Sequence, residues 1–280
     1  MLLNNFTYHS PVTLSELCKL CATINDYKIK AGGTFLLNHL KAWKKRGAKT
    51  PANIISLYKI PELKGIKKDK NEITIKAMTT LTEIAESSIV DKNLSALKVA
   101  CSSIATSPIR NMATIGGNIA SRFVWAELLA VMIAYDAKLK FIGRDKKTEI
   151  VGAEDFVDYK IGADKILTEI IIKIDPDAKV VYKRSTKFAS VDKPFLALCA
   201  NIRTDKKKIK KARIVVNNCI SFPQRDNKLE GFLEGKELNS ALFPKIAENM
   251  DYRLYDLKSD DYKKTLFRHI IKEAFRELKG

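Results

Sequence analysis

Several familiar signatures are missing from this chain of 280 residues. No run of about 18 or more apolar residues occurs, which removes the mark of a membrane-spanning helix. The opening MLLNNFTYHS has no basic region followed by an apolar stretch, so no secretory signal is expected. Histidine is scarce: His9, His39 and His269 are scattered, and nothing suggests a triad or a metal cluster. Neither GxGxxG nor a Walker sequence is present, which disfavours a generic nucleotide fold. The five cysteines are odd in number and widely spread, so no disulfide framework is expected and a reducing cytoplasm is the predicted setting. Cys18 and Cys21 form a lone CxxC with no second pair and no nearby histidine, a poor zinc site. The same spacing places Leu14, Leu17 and Cys21 on one apolar helix face, so the pair is read as core.

Basic charge, by contrast, is abundant. Fifty Lys and Arg face 32 Asp and Glu, a net charge of +18, concentrated in KAWKKRGAK (41–49), KGIKKDK (64–70) and DKKKIKKAR (205–213). Nucleic-acid binders show such a balance. Here, however, acids are interspersed and no basic strip carries spaced aromatics, so nucleic acid is not the expected partner. Solvated lysines in loops and edge strands, where they also discourage aggregation, are the plain reading. Docking to an acidic partner subunit is the second.

The pattern divides the chain into three units. Residues 13–25 open with Thr13 and Glu16 at capping-box spacing and continue with a helical apolar period. YKIKA (27–31) reads as a strand, 34–43 as a helix, and NIISL (53–57) as a strand, giving an α/β unit over 1–58. NEITIKA (71–77) alternates like a strand, and Thr80 with Glu83 marks another helix start. Helical patterns follow at 94–105 and 126–137, then strands at 138–143 and 165–174, closing a second α/β unit over 59–175. The third, 176–280, has three strand-like runs at hairpin spacing, then helices near 222–234, 239–250 and 259–278, an α+β arrangement.

Two adjacent glycine pairs stand out, AGGTFL and TIGGN. Glycine permits positive φ and removes the Cβ that would hold a ligand away. Successive bare amides make an anion-binding nest suited to phosphate, and Thr34 is expected to begin a helix whose N-terminus adds free donors. A glycine pair also serves as an ordinary turn. From the residues alone both readings stand; two nests converging on one pyrophosphate would account for both pairs.

The chain resembles the FAD-binding subunits of molybdenum hydroxylases, the xanthine dehydrogenase and carbon monoxide dehydrogenase medium-chain family. FTYHSPVTLSELCKL is similar to the family's opening, AGGTFLL to its first flavin motif and TIGGN to its second. IGADKILTEIIIKI, YKRSTKFASVDKP and SDDYKKTLFRHIIKEAF follow in the family's order. The resemblance implies an α+β fold of two N-terminal α/β FAD-binding subdomains of PCMH type, then an α+β subdomain with a three-stranded sheet and helices. It assigns cofactor contacts to Ile29, Lys30, Ala31, Gly32, Gly33, Thr34, Phe35 and Leu36, and to Thr114, Ile115, Gly116, Gly117 and Asn118. Glu127 stands where relatives carry an aspartate that contacts FAD, and Ile104, Leu167 and Lys183 stand at flavin-flanking positions. Taken as bare residues, Glu127 is equally a solvated acid in a helix's first turn. The chain departs from the family after TIGGN, where IASRFVWAELLAV replaces a proline-containing stretch.

The resemblance further implies a non-covalent FAD that takes electrons from [2Fe–2S] clusters on a small subunit and passes them to NAD⁺, a quinone or oxygen. Molybdopterin would sit on a large subunit, making the chain part of a hetero-oligomer. No side chain is an obvious acid, base or nucleophile; the flavin would carry the chemistry. The alternatives are a stand-alone FAD oxidoreductase, or a basic binding protein that keeps the fold without flavin.

Overall fold

Each of the three sequence units builds its own sheet; the computed structural model describes residues 3–159, 162, 165–188, 191–218, 222–255 and 261–279. Cys219, and parts of the 160–164, 189–190 and 256–260 stretches discussed above, lie outside the described residues.

The first unit runs β1 (Thr7–His9), α1 (Leu14–Thr23), β2 (Tyr27–Lys30), α2 (Leu36–Lys45) and β3 (Asn53–Ser56). The Thr13 hydroxyl accepts the Glu16 amide and starts α1. The Glu16 carboxylate accepts from Val12 N–H at 2.8 Å, one residue before the position a capping box requires. Helix α1 turns Leu17, Cys18 and Cys21 inward, so both thiols are buried. The strands lie in the order β1-β3-β2, all parallel. Helix crossovers make that possible, since parallel neighbours need long connections.

The second unit adds β4 (Ile66–Asp69), β5 (Glu72–Lys76), α3 (Leu81–Glu86), α4 (Ser95–Ser103), α5 (Ser107–Arg110), α6 (Ile115–Ser121), α7 (Glu127–Ala134), β6 (Lys138–Ile142), β7 (Thr148–Gly152) and β8 (Ile166–Lys173). Thr80 and Glu83 form a complete capping box on α3. The strands pair antiparallel in the order β4-β5-β8-β6-β7. The pattern reading missed the outer strands β4 and β7. Both are edge strands that bury few residues, and β4 carries Lys67 and Lys68 outward, so its sequence looks like a charge run.

The third unit is β9 (Ala178–Thr186), β10 (Pro194–Asp205), β11 (Lys208–Asn217), β12 (Gln224–Arg225), α8 (Asn227–Leu233), α9 (Phe243–Glu248) and α10 (Asp261–Lys279). Its antiparallel sheet has four strands, not three: Gln224 and Arg225 pair with Val216 and Val215, where a helix starting near 222 was expected. Leu198, Ala200, Ile214 and Val216 pack on the C-terminal helices. Ala197, Cys199 and Val215 join the core of the second unit. Burial on both faces explains why these strands read as unbroken apolar runs.

Helix α7 lies between the second and third units, and every residue in it is buried. A helix apolar all round belongs in a core. Asn201 Nδ2 donates to Ala134 O at 2.8 Å and Asn217 Nδ2 to Ala126 O at 3.2 Å, tying the third sheet to both ends of α7.

Candidate functional site

After β2 the chain turns sharply. Lys30 O accepts the Leu57 amide at 2.9 Å, so sheet pairing persists to this residue. Gly33 then takes φ +75°, the left-handed region that side chains with a Cβ avoid. Helix α2 starts at Leu36, not at Thr34, and Phe35 precedes it with no side-chain cap. Among the described residues, the amides of Gly32, Gly33, Thr34 and Phe35 have no acceptor. Unbonded successive amides are what an anion-binding nest requires.

The second pair is built differently. Gly116 and Gly117 lie in the first turn of α6, with Thr114 as its cap. Their amides are already taken: Ile115 N donates to Thr79 O at 3.0 Å, Gly116 N to Ala77 O at 2.9 Å and Asn118 N to Thr114 O at 3.0 Å. Gly117 N donates to Thr114 Oγ1 at 3.1 Å. The expectation of a second open nest is therefore corrected, because this helix start is fused to the end of β5. A Cβ on Gly116 would lie 2.7 Å from Ala77 O, so that glycine serves close packing. Asn118 faces backward as well, its Oδ1 accepting the Leu128 amide at 3.3 Å.

The two glycine pairs nevertheless meet. A Cβ on Gly117 would lie 3.3 Å from Ala31 Cβ, and one on Gly32 would lie 1.9 Å from Met112 O. Beside this contact is a groove of about 380 Å³. Ala31, Gly33, Thr34 and Leu36 line it from the first turn, Gly116 and Gly117 from the second. Leu57, Ala77, Met78, Ile166 and Leu167 add an apolar wall, and Phe35, His39, Trp43 and Phe123 an aromatic one. Lys28 and Lys165 are the lysines at its margin, and no carboxylate is among the described lining residues. Lys165 also pairs with Glu149 and Tyr159, and the Glu149 contact raises its pKa.

Open amides, positive charge and flat apolar walls fit a dinucleotide such as FAD: the amides suit a diphosphate and the walls suit its rings. A larger cleft of about 1000 Å³ lies elsewhere, between the second and third units. Its charges largely satisfy one another, with Arg213 bonded to Asp136 at 2.8 Å and Arg203 to Asp175 at 3.6 Å. No glycine pair borders it.

The remaining expected residues divide in two. Ile29 and Leu167 line the groove, while Lys30, Gly32, Thr114, Ile115 and Asn118 adjoin the lining stretches in sequence without lining it themselves. Ile104, Glu127 and Lys183 do not line it. Ile104 follows α4, partly buried against the main core. Glu127 is neither solvated nor open to the groove: it is 2% exposed, accepts from Tyr182 OH, and faces Arg184 Nε at 3.3 Å. Burial pushes its pKa up, against the opposing pull of Arg184 and Tyr182. Lys183 alternates to the other face of β9 and pairs with Glu277 of α10 at 2.5 Å. Sequence reasoning missed His39, Trp43, Ser121, Phe123 and Lys165, whose common location only the fold creates.

Residues 4–173 match the family described as the FAD binding domain in molybdopterin dehydrogenase, and residues 165–278 the CO dehydrogenase flavoprotein C-terminal domain. The xanthine dehydrogenase FAD-binding subunit of Escherichia coli O157:H7 is 36% identical over 135 residues, 48% of this chain and 45% of that protein. With this and other curated relatives the match spans about half of their length. The glyceraldehyde dehydrogenase medium chain of Sulfolobus acidocaldarius is 24% identical over 98% of each chain. Among solved structures, carbon monoxide dehydrogenase from Hydrogenophaga pseudoflava superposes with a TM-score of 0.87 at 24% identity, over 99% of this chain and 98% of that one. Quinoline 2-oxidoreductase from Pseudomonas putida 86 gives 0.89 at 21% identity, over 100% and 98%; at such identities these superpositions speak for the fold. With its α+β fold, its glycine-bordered groove and a family match over more than half its length, the chain belongs to the FAD-binding domain family of the molybdopterin dehydrogenases.

Proposed function

We propose that this chain binds one FAD non-covalently in the groove and serves as the flavin-bearing oxidoreductase component of a molybdenum hydroxylase complex. The observation that carries the reading is the set of amides at Gly32–Phe35 with no acceptor, beside a groove whose described lining residues include no carboxylate. Those amides would hold the diphosphate, with Lys28 and Lys165 at the groove margin adding charge compensation. Gly117 leaves the backbone bare opposite them, and Thr34 and Ser121, whose Oγ donates to Asn118 O, line the groove where the linking sugar would lie. Leu57, Met78 and Leu167 would exclude water from one ring. The bound flavin would accept electrons singly and release them as a pair.

In this reading a [2Fe–2S] small subunit supplies the electrons and a molybdopterin large subunit oxidises the substrate, as the relatives' names as FAD subunits and medium chains suggest. NAD⁺ or another acceptor would take the electrons, and the cytoplasm is the compartment we propose. Glu127, Ile104 and Lys183, though outside the groove, would support the flavin's far edge through the loop after α4 and the β9 backbone.

Titration of the purified chain with FAD tests the proposal. One equivalent bound per chain, with the flavin's visible absorption, is the expected result. No uptake of FAD would overturn it. Co-purification of iron- and molybdenum-containing subunits from the native source tests the assembly.

A further inference from the structure

Histidine is the side chain that ordinarily changes charge between about pH 5 and 8. The chain has three, and two are bonded away from the groove. His9 Nε2 lies 2.9 Å from Asn53 Oδ1 in the first sheet, and His269 pairs with Glu273 along α10 at 3.2 Å. His39, on α2, is half-buried and lines the groove. Three rings pack around it, with centroids at 4.7 Å for Trp43, 5.1 Å for Phe35 and 6.1 Å for Phe123. Among the described residues its imidazole has no hydrogen-bond or ion-pair partner. The buried side-chain nitrogens and oxygens left without a partner belong to Arg184, Arg213 and Asn217, so the unpaired His39 nitrogens open onto accessible space.

The helix leans this imidazole toward the unbonded amides. His39 N–H donates to Phe35 O at 3.0 Å, so the residue stands one turn beyond the last of them. Cα–Cβ bonds in a helix tilt toward its N-terminus, and a side chain covers the turn before its own Cα. For His39 that turn is the start of α2, which follows directly on Gly32–Phe35. Phe35 and Trp43, at i−4 and i+4, hold the imidazole on this face of the helix.

The charged groups around His39 are cations. From β2, Lys28 stands at the groove margin with its Nζ 5.7 Å from the Trp43 ring centroid, and Lys30 reaches toward Gly33. Ahead of β8, Lys165 is engaged with Glu149 and Tyr159. Arg122, beside Phe123, donates to the Tyr159 and Val157 carbonyls. Lys41, Lys44 and Lys45 follow on α2 itself. With no carboxylate among the described lining residues, the groove walls offer nothing to balance a charged imidazole, whereas an anionic ligand would.

We infer that His39 binds the diphosphate of the dinucleotide alongside the Gly32–Phe35 amides, and so makes affinity for FAD rise as pH falls. This rests on the reading that the groove takes FAD. Both phosphates of FAD are esterified and keep their charges across this range, so the dependence would come from the protein. A protonated imidazole adds a charge-assisted hydrogen bond to a phosphate oxygen, stronger than any the neutral ring can make.

Titration of the full chain with FAD from about pH 8 down to about pH 5.5 tests this, across the interval in which histidine ordinarily changes charge. Affinity is expected to rise about five- to tenfold, the difference between a neutral and a charged hydrogen bond. His39→Gln should bind with a flat profile, near the affinity of the unaltered chain at the alkaline end. His39→Lys, charged throughout, should bind tightly at both ends. His39→Phe keeps a ring beside Phe35 and Trp43, so unfolding of the ligand-free chain should be unchanged while the pH dependence is lost. His269→Gln should keep the full dependence. A slope that survives in His39→Gln, or a flat profile in the unaltered chain, would overturn this role for His39. Failure of the unaltered chain to bind FAD at any pH in the range would instead overturn the underlying flavin reading.

Discussion

The two glycine pairs look alike in sequence and do different physical work. Around Gly32-Gly33 the chain leaves a strand, takes a positive φ, and keeps its amides free. Around Gly116-Gly117 it starts a helix, and each amide from Ile115 to Asn118 is bonded inside the protein. One pair leaves backbone donors unbonded beside the groove; the other lets a helix end press against the close of a strand. Within each pair, moreover, one glycine answers to the protein. A Cβ at Gly32 would strike Met112 O at 1.9 Å, and at Gly116 it would meet Ala77 O at 2.7 Å. The partner glycines meet only side-chain atoms, the end of Lys30 at Gly33 and Thr114 Oγ1 and Ala31 Cβ at Gly117.

The largest expected effects come from filling the two packing glycines. Gly32→Ala and Gly116→Ala should each destabilise the ligand-free chain by about 2–3 kcal/mol, the usual cost of overpacking against unyielding backbone. Chemical denaturation without FAD reads this directly. For Gly116 the sign is diagnostic, since Gly→Ala within a helix ordinarily stabilises by about 1 kcal/mol. A neutral or stabilising Gly116→Ala would break the distinction between the pairs.

Gly33 comes next. Its φ of +75° makes Gly33→Ala cost about 1–2 kcal/mol, since an L-residue is strained there. The neighbouring atoms are the flexible end of Lys30, so space alone would not forbid the change. Gly33→Asn should recover most of the loss, because asparagine tolerates the left-handed region. Equal losses for Ala and Asn would point to crowding and not to φ.

The threonines that border the pairs sharpen the contrast at smaller scale. Thr114 caps α6, so Thr114→Ala should cost about 1 kcal/mol. Thr34 caps nothing, so Thr34→Ala should change stability by less than about 0.5 kcal/mol while weakening FAD several-fold. Thermal unfolding with and without FAD distinguishes the two.

What the sequence could disclose of all this follows from range. Thr13 and the Thr80–Glu83 capping box act within one turn of helix, so the helix starts were legible. The glycine pairs were legible as exceptions to a glycine-poor chain, but not their difference. That difference depends on Ala77, the residue that follows a strand far back in the chain. Glu127 sits at the start of α7, and nothing local says that Tyr182 and Arg184 of β9 will enclose it. The aromatic wall was hidden for the same reason: Phe35 and Phe123 become neighbours only when the first two units close on each other.

The smallest effect concerns the strand that seats Gly116. Lys76, the last residue of β5, pairs with Glu169 of β8 at 2.5 Å, and Lys140 of β6 reaches the same carboxylate at 3.3 Å. This holds β5 in register one residue before Ala77, whose carbonyl accepts the Gly116 amide. Burial alone would raise the pKa of Glu169, but the two lysines outweigh it and the net shift is downward. A carboxylate with a depressed folded pKa stabilises the fold above its unfolded value of about 4.5, and that contribution fades as pH falls through the folded value. Glu169→Gln should therefore lower stability by about 0.5–1 kcal/mol near pH 7, and by progressively less as pH falls through the folded value. Hydrogen exchange at the Gly116 amide should rise in this variant near pH 7, while the free amides of the first turn, which owe nothing to β5, should exchange as before. A variant that speeds exchange at both turns alike would mean that the two pairs are mechanically coupled, and that the division of labour between them is not local.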